Sequence, residues 1–273
     1  MVAIYLTLLG LLIGSFINAF VWRVHEQTSS LKNKNNPELS IIRGRSMCPS
    51  CHHKLASKDL IPVLSWILLK GKCSYCHKPI SILYPIFELL TAFIFGFSFI
   101  IWNNFSNSFS ILSFILWLVI LTGLIALALY DIKWYILPTR IIYSLAPIIL
   151  LFVIVRSLYL HNYSLIFGSI YGLVILGGLF YLIFQISKGK WIGGGDIRLG
   201  FLLGFLVGGP LSAILLLFIA SFTGTIISLP LISLNKLSRK STIPFGPFLI
   251  FGAIVVVLFG SSIINWYKNK LLI

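Results

Sequence analysis

Apolar residues in this chain come in long blocks, not in the period-two alternation of a half-buried strand. Eight blocks stand out, at 3–22, 82–101, 111–130, 141–159, 165–186, 197–208, 211–233 and 245–265. A helix needs about 20 apolar residues to cross a bilayer, and most of the blocks reach that length. The pattern predicts an all-α polytopic membrane protein of about eight transmembrane helices. The sixth block is short, and Gly208-Gly209-Pro210 separates it from the seventh; without that break the count is seven. The first block has no basic stretch before it and no small-x-small site after it, so it reads as a membrane helix and not as a cleaved signal. The expected divisions are helix 1 at 1–22, a polar loop at 23–81, and helices 2–8 at 82–273. Within the loop, 27–40 (QTSSLKNKNNPELS) is expected to be mobile. No internal repeat is visible, and no second soluble domain of any size is indicated.

Composition agrees: 58% of the 273 residues are hydrophobic and the mean hydropathy is +1.01. The net charge of +15 invites a nucleic-acid partner, but the placement of the charges removes that reading. With loops alternating sides, eighteen basic residues fall on the side of the 23–81 loop. Only Arg156, Lys268 and Lys270 fall on the other. Cytoplasmic loops carry such an excess. The expectation is a multi-pass membrane protein with both termini outside, the 23–81 loop in the cytosol, and the bilayer rather than nucleic acid as its partner.

The loop holds all four cysteines, as two CxxC pairs: Cys48 and Cys51, then Cys73 and Cys76, with 21 residues between the pairs. Four thiolates so spaced suit a tetrahedral, closed and therefore structural Zn²⁺ site. His52, His53 and His77 are read as exposed loop residues beside the thiolates. Between the knuckles, LIPVLSWILL is too short to span a bilayer, so it packs the module on itself or on the membrane surface.

Acids are scarce, and two sit at the ends of apolar blocks. Asp131 closes the third and Asp196 opens the sixth. On the charge-derived topology both face the cytosol. A negative charge suits a helix N-terminus, which excuses Asp196; Asp131 falls at a C-terminus, where it is disfavoured, although Lys133 is at hand to neutralise it. An ionisable group at membrane depth is a functional hypothesis by default. Two aspartates brought together share a proton: one activates water, the other polarises a scissile carbonyl and protonates the leaving amine. The same pair also suits a proton- or ion-coupled transporter, and the spacing alone leaves both readings open. Gly193, Gly194 and Gly195 are expected to supply backbone conformations closed to other residues and to admit a substrate backbone.

Taken in order, these motifs resemble the type IV prepilin peptidases, the leader peptidase/N-methyltransferase family. The likeness runs through GSFINAFVWR (14–23), the paired CxxC enclosing DLIPVLSW (59–66), YPIFELLTA (84–92), DIKWYILP (131–138), GGGDIRLG (193–200) and IPFGPFLIFGA (243–253). The resemblance implies an intramembrane aspartic endopeptidase of the GxGD type, with Asp131 and Asp196 as the catalytic pair. It implies cleavage of the short basic leader of prepilins or pseudopilins at the cytosolic face of the bacterial inner membrane. It also implies N-methylation of the new N-terminus from S-adenosylmethionine, associated with the cysteine module; no glycine-rich cofactor fingerprint accompanies it here. Arg198 stands where the family usually has lysine, keeping the charge but not the geometry, and SILYP lacks an arginine common before the Tyr-Pro.

Two more polar residues lie within apolar blocks. Asn18 is expected to bond a neighbouring helix or to line the active site. Glu88 is expected to pair with a basic group or to be protonated, or to contact substrate. Pro138 restricts the turn after Asp131. Gly246 and Pro247 are expected to start the last helix and shape the cleft.

Overall fold

A computed structural model describes residues 1–29, 39–40, 44–102, 105, 107–234 and 243–271. The chain divides into two units, Met1–Asn103 and Asn104–Ile273. The first holds α1 (Val2–Ser29), a one-turn 3₁₀ helix at Ser57–Leu60, the short α2 (Leu64–Leu68) and α3 (Leu83–Ile101). The second holds α4 (Ser108–Trp134), α5 (Thr139–Tyr159), α6 (Ser164–Ser187), α7 (Gly194–Val207), α8 (Pro210–Ser233) and α9 (Gly246–Leu271). Among the described residues, seven helices are long and apolar enough to cross a membrane: all of the longer helices except α7. The molecule is an all-helical, multi-pass membrane protein.

The first unit is built on the pairing of α1 with α3. Small residues allow it. A Cβ on Gly10 would stand 2.7 Å from the Ala92 Cα, and one on Gly14 would stand 2.6 Å from the Glu88 Cα. Without a hydrophobic drive between helices in lipid, such close backbone approach supplies the packing. At 28 residues and about 1.5 Å per residue, α1 is about 42 Å long. It outlasts a hydrocarbon core of about 30 Å. The helix runs on past residue 22, where the apolar block ends, and the mostly polar residues 23–29 are its last two turns. They stay helical because they hold the incoming chain. Arg23 Nη1 donates to the Ser40 carbonyl at 3.3 Å and Gln27 Nε2 to the Leu39 carbonyl at 2.8 Å. Trp22, Leu39 and Met47 form a small apolar cluster beside these bonds. Most of the polar 27–40 stretch lies outside the described residues.

The second unit is a helical bundle. α4 packs on α5 and α9, α7 lies against α5, α6 and α9, and α8 covers α6 and α9. From Leu124 to Asp131 every α4 residue is buried, as expected of a helix apolar on all sides. α7 is 14 residues, about 21 Å, which falls short of a full crossing. Gly208 caps it in the left-handed region at φ 73°, and Pro210 opens α8 at its first position. The break expected at 208–210 is thus a true helix boundary. α7 seats deeply against α6 because Gly172 and Gly204 meet there: a Cβ on either would run into the other's carbonyl oxygen.

Candidate active site and metal centre

In the second unit, Asp131 lies in the last turn of α4, whose end is fixed by Tyr135 in the left-handed region (φ 58°). The Tyr135 N–H donates to the Asp131 carbonyl at 2.8 Å. Pro138 then sets the N-cap of α5, and buried Leu137 fills the turn. The Asp131 carboxylate is itself buried, at 5% exposure. Its Oδ2 has no hydrogen-bond partner, whereas buried polar atoms are nearly always satisfied.

Asp196 is the third residue of α7. The Gly193 N–H donates to its Oδ2 at 3.3 Å, and its own N–H donates to the Gly193 carbonyl at 3.1 Å. This local contact, with an acid's attraction to the helix N-terminus, is worth about 0.3–1 kcal/mol. It accounts for one oxygen of Asp196 and for nothing at Asp131, where the helix dipole works against the charge. The two carboxylates are within electrostatic reach of each other, and Leu137 stands between their neighbourhoods. A Cβ on Gly195 would lie 3.0 Å from the Leu137 Cβ, and one on Gly246 only 2.5 Å from Asp131 Oδ2 and 3.5 Å from Leu137 Cδ1. Gly246 thus opens α9 against the carboxylate of α4.

The glycines require a correction. Gly193 has φ −75° and Gly194 and Gly195 are helical, so none uses a conformation closed to other residues; the left-handed positions are Lys188 and Gly189, at φ 50° and 75°. Gly195 is constrained by space, because Leu137 occupies its Cβ side. Arg198 donates from Nη1 to Thr139 Oγ1 at 2.7 Å, tying the start of α7 to that of α5. Lys133 Nζ lies 5.7 Å from the Trp134 ring centroid.

The first unit holds the other predicted residues. The Sγ atoms of Cys48, Cys51, Cys73 and Cys76 all lie within 4.8 Å of one another, and those of Cys48 and Cys76 are 3.9 Å apart. A tetrahedral site with metal–sulfur bonds of about 2.3 Å places its sulfurs roughly 3.8 Å apart, so the cluster fits a single metal ion and could not be two disulfides without moving. The two knuckles repeat one design. Cys48 N–H bonds the His53 carbonyl as Cys73 N–H bonds that of Lys78. His52 N–H bonds the Cys48 carbonyl as His77 N–H bonds that of Cys73. The bridges Met47–Lys54 and Lys72–Pro79 close both loops, and His52 and His77 both stand at φ 55°. The chain therefore does contain an internal repeat, of one turn at an offset of 25 residues. His52 and His77 serve it as left-handed turn residues, and His53 stacks on Tyr75 at 3.7 Å. Asp59 links the knuckles, accepting from Ala56 N–H at 3.2 Å and from Ser74 Oγ at 2.8 Å.

Asn18 and Glu88 belong to this unit. Asn18 Nδ2 donates to the Tyr84 carbonyl at 3.1 Å, fastening α1 to α3, while its buried Oδ1 has no partner. Among the described residues no salt bridge reaches Glu88; its Oε2 accepts the Val63 N–H at 2.7 Å. Beneath the knuckles, Asn18, Trp22, Asp59, Trp66, Tyr84 and Glu88 line a cavity of about 130 Å³. Sequence reasoning named neither this cavity nor the closeness of Gly246 to Asp131.

Residues 8–102 match the family model of the bacterial peptidase A24 N-terminal domain, and residues 118–229 that of the type IV leader peptidase family. Prepilin leader peptidase/N-methyltransferases are similar along nearly the whole chain. That of Aeromonas salmonicida is 30% identical over 97% of this chain and 93% of the relative. That of Bacillus subtilis is 31% identical over 96% of each, and that of Legionella pneumophila 31% over 95% and 92%. No solved structure matches the chain.

Proposed function

The chain belongs to the type IV prepilin leader peptidase/N-methyltransferase family, and from that premise we propose that it cleaves the leader of prepilins or pseudopilins by an aspartic mechanism, with Asp131 and Asp196 as the reacting pair. The observation that carries the reading is the buried, unpartnered Oδ2 of Asp131 within reach of Asp196. Sharing one proton, the pair divides the work. The ionised member takes a proton from the attacking water while the protonated member bonds the scissile carbonyl; the proton then passes to the departing amine. No metal takes part. Asp196, held by the Gly193 N–H, is the more fixed of the two, and Asp131 keeps a free oxygen for water. Gly195 and Gly246 let the starts of α7 and α9 close on Leu137 and on the Asp131 carboxylate, which holds the two aspartate-bearing helix ends together. Arg198 braces α7 on Thr139. The charge distribution supports a cytosolic location for this site. The transporter reading draws no support from the family.

The second half of the proposal is N-methylation in the first unit. Four thiolates in tetrahedral reach fit a structural Zn²⁺, which orders the two knuckles over the cavity. The lining suits one end of S-adenosylmethionine, as much as a cavity of about 130 Å³ would take: Asp59 and the orphaned Asn18 Oδ1 would be acceptors for its ammonium or amino groups, and Trp22, Trp66 and Tyr84 would be faces for its base or sulfonium. When bound, that group supplies an electrophilic methyl for the new N-terminal amine. The residues of this chain bind it and exclude water.

Mass spectrometry of the N-terminus of a co-expressed prepilin tests both halves. The expected product lacks the leader and is about 14 Da heavier than the bare mature chain. An intact leader in the presence of folded enzyme overturns the peptidase reading; a cleaved but unmethylated product overturns the second half alone.

A further inference from the structure

The one β-branched residue with a positive φ among the described residues is Val63, at φ 61° and ψ −49°. Its flanking groups close on each other, with the Leu64 N–H donating to the Pro62 carbonyl at 2.6 Å. This is the γ-turn of positive central φ, a rare and strained conformation, and a valine is among the residues least able to adopt it. Strain of this kind persists only where the surroundings hold it. What holds it here is a carboxylate from another helix: the Val63 N–H donates to Glu88 Oε2 at 2.7 Å, while Glu88 itself is 7% exposed in α3. A buried carboxylate accepting a backbone N–H makes a short, charge-assisted bond.

The turn is the hinge from which α2 leaves. Immediately after it, Ser65, Trp66 and Leu69 face the cavity and Trp66 Nε1 donates to the Ile80 carbonyl at 3.1 Å, while Leu64, Ile67 and Leu68 are exposed. With the γ-turn relaxed to a negative φ, α2 leaves Pro62 in another direction and Trp66 leaves the cavity wall. We infer that Glu88 is a positioning residue for the methyl-donor site: its bond to the Val63 amide locks the strained turn and so sets the α2 wall of the cavity. This rests on the reading of that cavity as the S-adenosylmethionine site.

The test uses the full chain in nanodiscs, with hydrogen exchange across 63–69 and direct S-adenosylmethionine binding as separate readouts. In Glu88→Ala, amides of 63–69 are expected to lose protection while zinc content stays at one per chain. S-adenosylmethionine affinity is expected to fall by about tenfold or more, the size of one hydrogen bond to a charged group, with KM for the donor raised more than turnover is lowered. Glu88→Gln, which still offers an acceptor oxygen, is expected to fall between. Val63→Gly in the Glu88→Ala background is expected to restore affinity, since glycine takes a positive φ without help. Unchanged exchange in Glu88→Ala, or no rescue by Val63→Gly, overturns the positioning role. Loss of protection with unchanged donor affinity supports that role and instead overturns the cavity as the donor site. Should Glu88→Ala not fold, Val63→Gly alone decides: it is expected to make Glu88→Gln silent, and an undiminished Glu88→Gln defect refutes the inference.

Discussion

Replacing Gly246 with alanine is the smallest change that reaches the proposed peptidase site without touching either aspartate. The added Cβ would stand 2.5 Å from Asp131 Oδ2, whereas carbon and oxygen atoms in ordinary contact keep roughly 3.4 Å or more. Either the carboxylate retracts by about 0.9 Å or the start of α9 moves by as much. Leu137 Cδ1, 3.5 Å from the same point, leaves little room for the first, and packing of α9 on α4, α7 and α8 resists the second. A misplacement of about 1 Å at a reacting group costs on the order of 100-fold in rate, equivalent to about 2.7 kcal/mol of barrier. The assay is kcat/KM for prepilin cleavage by purified Gly246→Ala, with thermal unfolding in the same detergent to establish that it folds. Gly178→Ala is the control, because a Cβ there meets nothing within 4 Å and alanine favours the helix. The expectation is a loss near 100-fold for Gly246→Ala and none for Gly178→Ala. Wild-type cleavage by Gly246→Ala, or an equal loss in both variants, refutes the reasoning.

Cys51→Ser removes one of four thiolates, so bound zinc measured by atomic absorption is expected to fall well below one per chain; full stoichiometry in that variant counts against a four-thiolate site. The exposed Leu64, Ile67 and Leu68, with Lys58 and Lys70 on either side in sequence, suit a surface dipping into the headgroup region. A photocrosslinking amino acid at Leu68 in nanodisc-embedded enzyme is expected to yield lipid adducts, and crosslinks to protein alone would refute that.

The candidate residues were legible because their signals are local. Two CxxC pairs point through spacing to four clustered thiols, which the structure brings together, and an aspartate at the end of an apolar block stands out through its cost. What stayed hidden depends on tertiary contact or on local rule-breaking. Gly246 meets Asp131 across 115 positions of sequence, and no periodicity reports that approach. The three glycines before Asp196 suggested unusual dihedrals, yet they begin an ordinary helix, and the real constraint is Leu137 against Gly195. Val63 at a positive φ contradicts the preference of its own side chain, so only the structure, with Glu88 behind it, reveals the turn. The two CxxC knuckles were legible as a pair, but their matching backbone bonds were not, because MCPSCHHK and KCSYCHKP share only the cysteines and the histidine after them. The helical continuation of α1 through 23–29 was not legible, because what holds those residues is their tertiary grip on residues 39–40.

The central claim is that two aspartates at the ends of α4 and α7 act as one catalytic pair. Its most direct test is the intact mass of a co-expressed prepilin in cells making Asp131→Asn or Asp196→Asn enzyme at normal levels and with normal zinc content. Each variant alone is expected to leave the leader uncut, because the proposed mechanism needs one ionised and one protonated carboxyl and an amide supplies neither. A mature, leaderless product from either variant at the wild-type rate contradicts the account.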